Sequence, residues 1–268
     1  MHLLKFASVL ASAGSLVAAQ AANTTELPVN YGMIIFPNFQ TLDVFGPLEV
    51  LTGLSRYFRM NLRIIAPTMN LTSQSATSAA MNTTGSDYSF HIKPTHTFDN
   101  PPEDLEVLII PGGGWTRSPD VPPVLEYVKE VFPKLKYLIT VCTGSMIAAR
   151  AGVLDGLNAT TNKAAWKEVT SKRAEVNWIP KARWVVDGNV WTTSGISAGI
   201  DGTLAFVSEI YGKNYSEIIA TKMEYEAHTD PSWDPWADFY NLTKPEDTAT
   251  ASFISTDLHL LDAEDGPW

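Results

Sequence analysis

Three features of this chain could together carry out chemistry: its single thiol, a carboxyl group that follows a predicted strand, and a run of glycines. The thiol is Cys142, the only cysteine, and the segment LITVCTGSMIAA around it predicts a buried strand that turns into a helix. At such a turn, the free N–H groups and dipole of the helix favour thiolate over thiol. Because thiolate is the nucleophilic form, the position predicts a cysteine nucleophile; a small buried hydrophobic side chain is the alternative.

Asp43 and the glycine run at 112–114 each follow a predicted strand, as Cys142 does. Ligands of doubly wound sheets bind outside the carboxyl ends of the strands, so we expect these three features to meet. In a closed pocket the pKa of Asp43 would rise and its carboxyl group could transfer a proton. The alternative is that Asp43 only caps the helix that follows it.

Gly112, Gly113 and Thr143 are the candidates for stabilising charge near the thiol. The two glycines would let backbone N–H groups approach a ligand closely, as an oxyanion site requires, unless they form an ordinary tight turn. Thr143 could donate through its hydroxyl or its backbone N–H, or it could simply open the helix after Cys142. The sequence leaves both pairs of alternatives open.

The elements that must position these residues alternate between strands and helices. Apolar runs predict strands at 29–36, 62–66, 105–110 and 137–141. The stretch 41–50 carries a turn at Asp43 and leads into a helix that ends near Leu54, and further helices are predicted at 121–132, 163–171 and 197–211. A polar stretch at 67–98 suits a hairpin excursion, and Asp187-Gly-Asn189 predicts a hairpin between 184 and 191. This order predicts an α/β fold with a doubly wound, mostly parallel sheet and helices on both faces.

The segment 224–236 is the one acidic and aromatic stretch that contains a histidine, His228. Such a mixture could bind a metal, but its spacing matches no common metal site. A segment that covers the pocket, or a dimer contact, is the favoured interpretation, and the sequence predicts no metal site.

The first 21 residues predict a secretory signal peptide, because an apolar stretch from 6 to 19 follows Lys5 and ends in a small-x-small pattern. Six N-x-Ser/Thr sequons support passage through the secretory route as a glycoprotein. They are Asn23, Asn70, Asn82, Asn158, Asn214 and Asn241. A single cysteine allows no internal disulfide, so the core must be stable without one. We therefore expect a secreted protein.

Removal of the signal would leave about 245 residues, which suits one large α/β domain at 28–240, followed by an acidic and polar tail at 241–268. The net charge is −10, and the loss of Lys5 makes it −11. A negative chain is a poor match for nucleic acid or an anionic membrane, so the expected partner is a small molecule.

Five segments in one order carry a resemblance to the ThiJ/PfpI superfamily, whose fold is flavodoxin-like and related to class I glutamine amidotransferases. They are TLDVFGPLE at 41–49, IPGGG at 110–114, VCTGS at 141–145, ATT at 159–161 and TSGISAGID at 193–201. Within the superfamily the chain is most similar to the isonitrile hydratase branch. Cys-Thr at 142–143, in place of the Cys-His of protease-like members, points the same way.

The resemblance implies a nucleophile at Cys142, an aspartate beside it at Asp43 and a hydrogen-bonding threonine at Thr143. It also implies that the Gly113 region and the Thr143 N–H stabilise developing charge, that no metal or organic cofactor is needed, and that the protein is a homodimer. In many members a histidine follows the Thr-Thr pair, whereas this chain has Asn162. That difference counts against glyoxalase or protease chemistry.

Three functions remain open at this point. The first is an isonitrile hydratase-like lyase that adds water to an isocyanide carbon and yields an N-substituted formamide. The second is a glyoxalase-like or secondary-metabolite pathway enzyme of the same superfamily. The third is a non-enzymatic secreted protein with a reactive thiol.

Overall fold

The computed structural model describes residues 26–243, and the structural statements below concern those residues. The predicted signal peptide, the sequon at Asn23 and the tail from residue 244 lie outside the described residues. Within 26–243, none of the helices combines the length and the apolar character that crossing a membrane requires.

One seven-stranded sheet organises the molecule, in the order β10-β11-β7-β6-β1-β2-β5. Its strands are β1 (Asn30–Ile34), β2 (Asn61–Ala66), β5 (His96–Thr97), β6 (Val107–Ile110), β7 (Tyr137–Val141), β10 (Trp184–Asp187) and β11 (Val190–Thr193). All neighbours pair in parallel except β10 and β11, which form an antiparallel hairpin. The predicted fold class is therefore confirmed.

Four short strands form two small accessory sheets. β3 (Thr72–Ser73) pairs antiparallel with β4 (His91–Ile92), which is the hairpin excursion predicted between 67 and 98. β8 (Asn158–Ala159) pairs in parallel with β9 (Asn177–Trp178).

Seven α-helices flank the sheet. They are α1 (Thr41–Leu54), α2 (Pro122–Val131), α3 (Gly144–Arg150), α4 (Trp166–Thr170), α5 (Ala198–Ile210), α6 (Lys213–Lys222) and α7 (Pro235–Phe239). α1, α5 and α6 pack against one another, and α2 and α4 pack against α3. The core between these layers is built from strand residues that are buried on both faces, such as Val107 to Ile110. Continuous apolar strands are expected in a parallel sheet that helices cover on both sides.

The strand order reverses between β1 and β6, and this reversal determines where the candidate site lies. The chain proceeds from β1 outward through β2 to β5, then returns to the middle at β6 and continues outward in the other direction through β7 to β11. The loops that leave neighbouring strands at such a reversal diverge and open a crevice at their carboxyl ends. The loop after β1 leads directly into the first turn of α1, which carries Asp43, and the loops after β6 and β7 carry the glycine run and Cys142.

Most predicted elements lie within a few residues of the observed ones. The predicted strand at 137–141 has the observed bounds, and the first helix ends at Leu54 as predicted. That helix already begins at Thr41, so Asp43 lies in its first turn and not in a turn before it. α6 and α7 were not predicted, and neither was the participation of His96–Thr97 in the main sheet. Two-residue strands have no detectable periodicity, and the short α7 depends on an N-terminal cap by Asp234.

Candidate active site

Cys142 lies in the sharp turn between β7 and α3, with a backbone φ of 55°. This left-handed conformation is unfavourable for a residue with a Cβ, so surrounding contacts must hold it. The Cys142 N–H donates to the Ser194 carbonyl at 3.0 Å. Its carbonyl accepts from the Ser145 hydroxyl at 3.0 Å and from the Thr161 hydroxyl at 3.1 Å. The turn is therefore fixed by the first turn of α3 and by two separate loops, at Thr161 and Ser194, and the side chain is only 6% exposed.

Asp43 points its carboxyl group into the same place from the first turn of α1. The side chain is fully buried, and Oδ2 accepts from the Gly112 N–H at 2.8 Å. The Cys142 thiol lies beside this carboxyl group and acts to lower its pKa, while Oδ1 has no hydrogen-bond partner. The residue that caps α1 is Gln40, so the alternative of Asp43 as a simple helix cap is not what the structure shows.

Gly112 is the point of closest backbone approach between Asp43 and Thr143. A Cβ at this position would lie 2.6 Å from the Thr143 hydroxyl and 2.9 Å from Asp43 Oδ2, closer than side chains tolerate. The neighbouring Gly113 has a φ of 141° and donates its N–H to the Thr143 hydroxyl at 3.1 Å. Glycine is required at both positions, for space at Gly112 and for backbone conformation at Gly113.

Thr143 links the glycine run at 112–114 to the turn between β7 and α3 that carries Cys142, which we call the elbow. Its hydroxyl accepts from Gly113 and lies 3.4 Å from the Thr116 hydroxyl, which in turn donates to the Gly113 carbonyl at 2.8 Å. Its backbone N–H is directed at the Cys142 sulfur. The structure thus brings Cys142, Asp43, Thr143, Gly112 and Gly113 together, as the sequence predicted, while the role of each in catalysis stays a prediction.

Burial sets the protonation behaviour of Asp43. Removal from water raises the pKa of this carboxyl group to about 7, although the hydrogen bonds from Gly112 and Cys142 act in the opposite direction. A carboxyl group that titrates near neutral pH can both accept and release a proton, which is the property required of a general acid–base.

The prediction that the helix N-terminus favours thiolate in the resting site is wrong. Burial is the largest influence and raises the pKa of the Cys142 thiol, and the nearby Asp43 charge raises it further. The N–H groups of Thr143 and Ile196 and the Asn162 side chain lower it, but they do not outweigh burial. Burial therefore favours the protonated thiol in the resting site, so Cys142 needs a base to accept its proton when it acts as a nucleophile.

Sequence reasoning missed Asn162 and Ile196 as neighbours of the sulfur. Both lie near the sulfur and lower the pKa of the thiol, Asn162 through its side chain and Ile196 through its backbone N–H. Asn162 was noted only as the absence of a histidine. Nothing local in the sequence indicates either contact, because the loops that carry them meet Cys142 only in the folded sheet.

Two buried ion pairs lie beside the elbow and hold the segment 224–239. Lys163 Nζ lies 3.2 Å from Asp234 Oδ2, with both side chains 1% exposed, and burial lowers the lysine pKa to about 8. Arg183 binds Asp201 at 2.5 Å, and the other Asp201 oxygen accepts from the His228 N–H at 3.0 Å. Asp234 also accepts from the Ser194 hydroxyl at 3.0 Å, so the segment is tied to the loop that holds Cys142.

His228 itself stacks on Trp233, with ring centroids 3.8 Å apart. Across residues 26–243, no three side chains of the His, Cys, Asp and Glu types come close enough together to hold a metal ion. A cavity of about 680 Å³ borders His228, Tyr137, Trp184 and Trp191. It lies along the β10 edge of the sheet rather than at Cys142.

Five of the six sequons fall within the described residues. Asn70, Asn158, Asn214 and Asn241 are exposed, and Asn82 is half-buried. The Asn158 amide donates to Asp187 at 2.9 Å, which a glycan on that nitrogen would change. Exposure is compatible with modification at these positions and does not test it.

Comparisons with known proteins agree with the geometry. The model of the DJ-1/PfpI family matches residues 32–210. The chain is 30% identical to an isonitrile hydratase of Pseudomonas putida over 202 residues, 74% of this chain and 79% of that protein.

Solved structures show the same relationship. A THiJ/PfpI family protein from Pseudomonas syringae superposes with a TM-score of 0.62 at 26% identity, covering 84% of this chain and 85% of that chain. Drosophila melanogaster DJ-1beta shares the fold alone, with a TM-score of 0.58 at 15% identity over 74% of this chain and 98% of that one. By its family-model match, its sequence relative and its fold, the chain belongs to the DJ-1/PfpI family.

Proposed function

We propose that this protein is an isonitrile hydratase-like lyase that converts an isocyanide and water into an N-substituted formamide. The observation that carries the proposal is the buried Asp43 carboxyl group beside the Cys142 thiol, without a histidine between them. The 30% identity to an isonitrile hydratase supports the choice of reaction. The narrow access to a sulfur that is 6% exposed also suits an isocyano group, which is two atoms in a straight line.

In the first step, the Cys142 sulfur attacks the terminal isocyanide carbon and a carbon–sulfur bond forms. Asp43 accepts the thiol proton and delivers it to the same carbon, so the carbon–nitrogen triple bond becomes a double bond. The product is a thioimidate with one new hydrogen on carbon. A pKa of about 7 allows Asp43 to take up and release this proton at neutral pH.

In the second step, Asp43 takes a proton from water as the water oxygen attacks the thioimidate carbon, and it passes that proton to the nitrogen. The carbon–sulfur bond of the tetrahedral adduct then breaks as its hydroxyl group becomes the formamide carbonyl, and Asp43 carries the hydroxyl proton to the leaving Cys142 sulfur. No electrons are gained or lost overall, and no metal or organic cofactor enters either step. The N–H groups of Gly112 and Gly113 hold Asp43 and Thr143 in place for both steps.

The alternatives have weaker support. Glyoxalase-like chemistry would use a proton carrier where this chain has Asn162, whose amide does not titrate near neutral pH. A redox-responsive thiol is expected to have a lowered pKa and an accessible sulfur, whereas Cys142 is buried with a raised pKa. A different pathway substrate for the same Cys142–Asp43 pair stays open to the test below.

The test is loss of the isocyanide stretching band in the infrared after addition of purified protein, with the formamide identified by chromatography. A panel of small alkyl and aryl isocyanides is used, with Cys142→Ala as the inactive control. Formamide from the wild-type protein and none from the variant is the expected result. Equal rates for both proteins, or no turnover of any member of the panel, would overturn the proposal.

We also propose that the protein follows the secretory route and carries N-linked glycans. The support is the sequence of residues 1–21 and the exposed sequons at Asn70, Asn158, Asn214 and Asn241. Expression in a eukaryotic host with its own N-terminus should yield secreted protein that begins after residue 21 and loses mass on treatment with an N-glycosidase. Retention inside the cell with an intact N-terminus would contradict this proposal.

A homodimer is proposed on the basis of the family resemblance. The exposed side chains of Leu42 and Phe45 on α1 offer an apolar surface for such a contact. Light scattering of the purified protein at several concentrations should give twice the mass of the chain, and a monomer at all concentrations would contradict it.

A further inference from the structure

The peptide unit of Cys142 is held from two sides by loops that continue toward its sulfur. On one side the Thr161 hydroxyl donates to the Cys142 carbonyl at 3.1 Å. On the other side the Ser194 carbonyl accepts from the Cys142 N–H at 3.0 Å. The residues that come next in these two loops are Asn162 and Gly195, and they meet each other beside Cys142.

The Asn162 amide has one defined orientation at this meeting point. Its Oδ1 atom accepts from the Ala165 N–H at 3.0 Å, so the Nδ2 group is the half of the amide that faces the site. A Cβ on Gly195 would lie 3.1 Å from Nδ2, so glycine at 195 leaves the amide just enough room. The side chain is half-buried, so water competes only partly for its donors.

The Asn162 amide lies close enough to the Cys142 sulfur to lower the pKa of the thiol, together with the N–H groups of Thr143 and Ile196. The loop that carries it is rigid, because buried Lys163 donates to the Thr161 carbonyl at 3.0 Å and to the Thr160 hydroxyl at 2.6 Å. A donor held in advance at the place where charge develops stabilises that charge without reorganisation.

We propose that Asn162 is a catalytic residue, whose Nδ2–H donates to the Cys142 sulfur while negative charge is present on it. The donation acts as the thiol loses its proton and again as the sulfur leaves the tetrahedral adduct; the second role rests on the proposed function. Asn162 forms and breaks no covalent bond and transfers no proton. All proton transfer is left to Asp43, and the amide stabilises sulfur charge at every pH in the same way.

The test measures the thiol directly, so it is independent of the reaction that the protein catalyses. Iodoacetamide alkylates the thiolate with loss of iodide, and the intact mass reports Cys142 alone because it is the only cysteine in the chain. Asn162→Leu removes the donor at nearly equal volume, and Asn162→Asp replaces it with an anion of the same shape. Asn177→Leu is the matched control, because Asn177 is exposed on β9 and bonds only to the Gly156 carbonyl through its side chain.

We expect the alkylation rate at pH 8 to fall by roughly 10-fold or more in Asn162→Leu, as for a lost hydrogen bond to a charged group. Asn162→Asp should be slower still, and Asn177→Leu should match the wild type. Asn162→His keeps an N–H donor, so below pH 6 its alkylation rate should come close to that of the wild-type protein at the same pH. The ratio of the two rates should change with pH near the ordinary histidine pKa of about 6.5. If Asn162→Leu does not fold, Asn162→Ala takes its place.

Alkylation of Asn162→Leu and Asn162→Asp at the wild-type rate would overturn the inference. Where the wild-type protein hydrates isocyanides, Asn162→Leu should lower kcat in the same proportion and leave KM close to its original value. Where it hydrates none, the proposed function fails, and the alkylation rates still decide whether Asn162 stabilises the thiolate.

Discussion

Two buried carboxyl groups near the elbow, Asp43 and Asp234, have opposite surroundings. Asp234 faces Lys163 Nζ at 3.2 Å and also accepts from the Ser194 hydroxyl and the Trp236 N–H. Asp43 faces a thiol and one backbone N–H, and among the described residues no lysine, arginine or histidine pairs with it. The two groups are almost equally buried, at 0% and 2% exposure.

The difference shows how a buried acid can either stabilise the fold through an ion pair or transfer protons in a reaction. A buried carboxylate with a cation and hydrogen bonds stays charged and joins parts of the chain. A buried carboxyl group without a cation loses part of its preference for the charged form, which is why burial raises the pKa of Asp43 to about 7. Asp234 therefore anchors the segment 224–239, whereas Asp43 is suited to move protons.

The largest expected effect is on catalysis, from Asp43→Asn. The amide has the shape of the carboxyl group but cannot accept the thiol proton, so isocyanide turnover should fall by about 10²- to 10⁴-fold. Asp234→Asn, assayed well below its unfolding temperature, should stay within about tenfold of the wild type because it touches no reacting atom. Comparable losses of kcat in the two variants would contradict the assignment of proton transfer to Asp43 and of a structural role to Asp234.

The next effect concerns stability, and here the substitution of Asp234 should be more harmful than that of Asp43. Asp234→Asn leaves Lys163 as a buried charge without its partner, which should lower the free energy of unfolding by about 3–5 kcal/mol. Urea unfolding at pH 7 measures the change, and the double variant Lys163→Met/Asp234→Asn should recover part of it. Asp104→Asn, which breaks the exposed 3.5 Å pair with Arg63, is the control and should cost under about 1 kcal/mol.

Asp43→Asn should make the protein more stable, by an amount that depends on pH. A carboxyl pKa raised from 3.8 to about 7 means that stability is complete below pH 4 and declines as pH rises to 7. Asparagine has no such decline, so the gain should be near zero at pH 4 and reach roughly 4 kcal/mol at pH 8. Thermal unfolding at pH 4, 6 and 8 tests this, and an equal gain at all three would contradict the titration of Asp43.

A smaller effect is the pH dependence of turnover in the wild-type protein. The ionised carboxyl group is the active form, so kcat/KM should be level above about pH 7 and fall about tenfold per pH unit below it. Between pH 8 and pH 5 the decrease is about 100-fold. A profile that stays level down to pH 5 would show that Asp43 is not the base.

The sequence predicted the residues that meet at the carboxyl ends of adjacent strands, because strands and helices have local periodicity and parallel sheets have a known crevice. Cys142, Asp43, Thr143, Gly112 and Gly113 were found in this way. The family resemblance added expected roles for them, which local pattern alone left open.

Contacts between distant loops were beyond that reasoning. Lys163 and Asp234 are far apart in sequence and have no shared motif, and the same is true of Cys142 and Ile196. The thiol pKa was mispredicted for the same reason, because a helix N-terminus is visible in sequence while burial and the charge of Asp43 are properties of the assembled site.

The anchoring of residues 224–239 has a consequence for where the folding unit ends. The match to the family model ends at residue 210, but the anion that pairs with buried Lys163 is Asp234, beyond that limit. α6, which follows α5, also places Ile219 in the core at 1% exposure. A protein shortened to the region of similarity would expose α5 and keep an uncompensated lysine beside the elbow. We therefore expect the smallest unit that folds by itself to run through the end of α7 at Phe239, about 30 residues past the end of the family-model match.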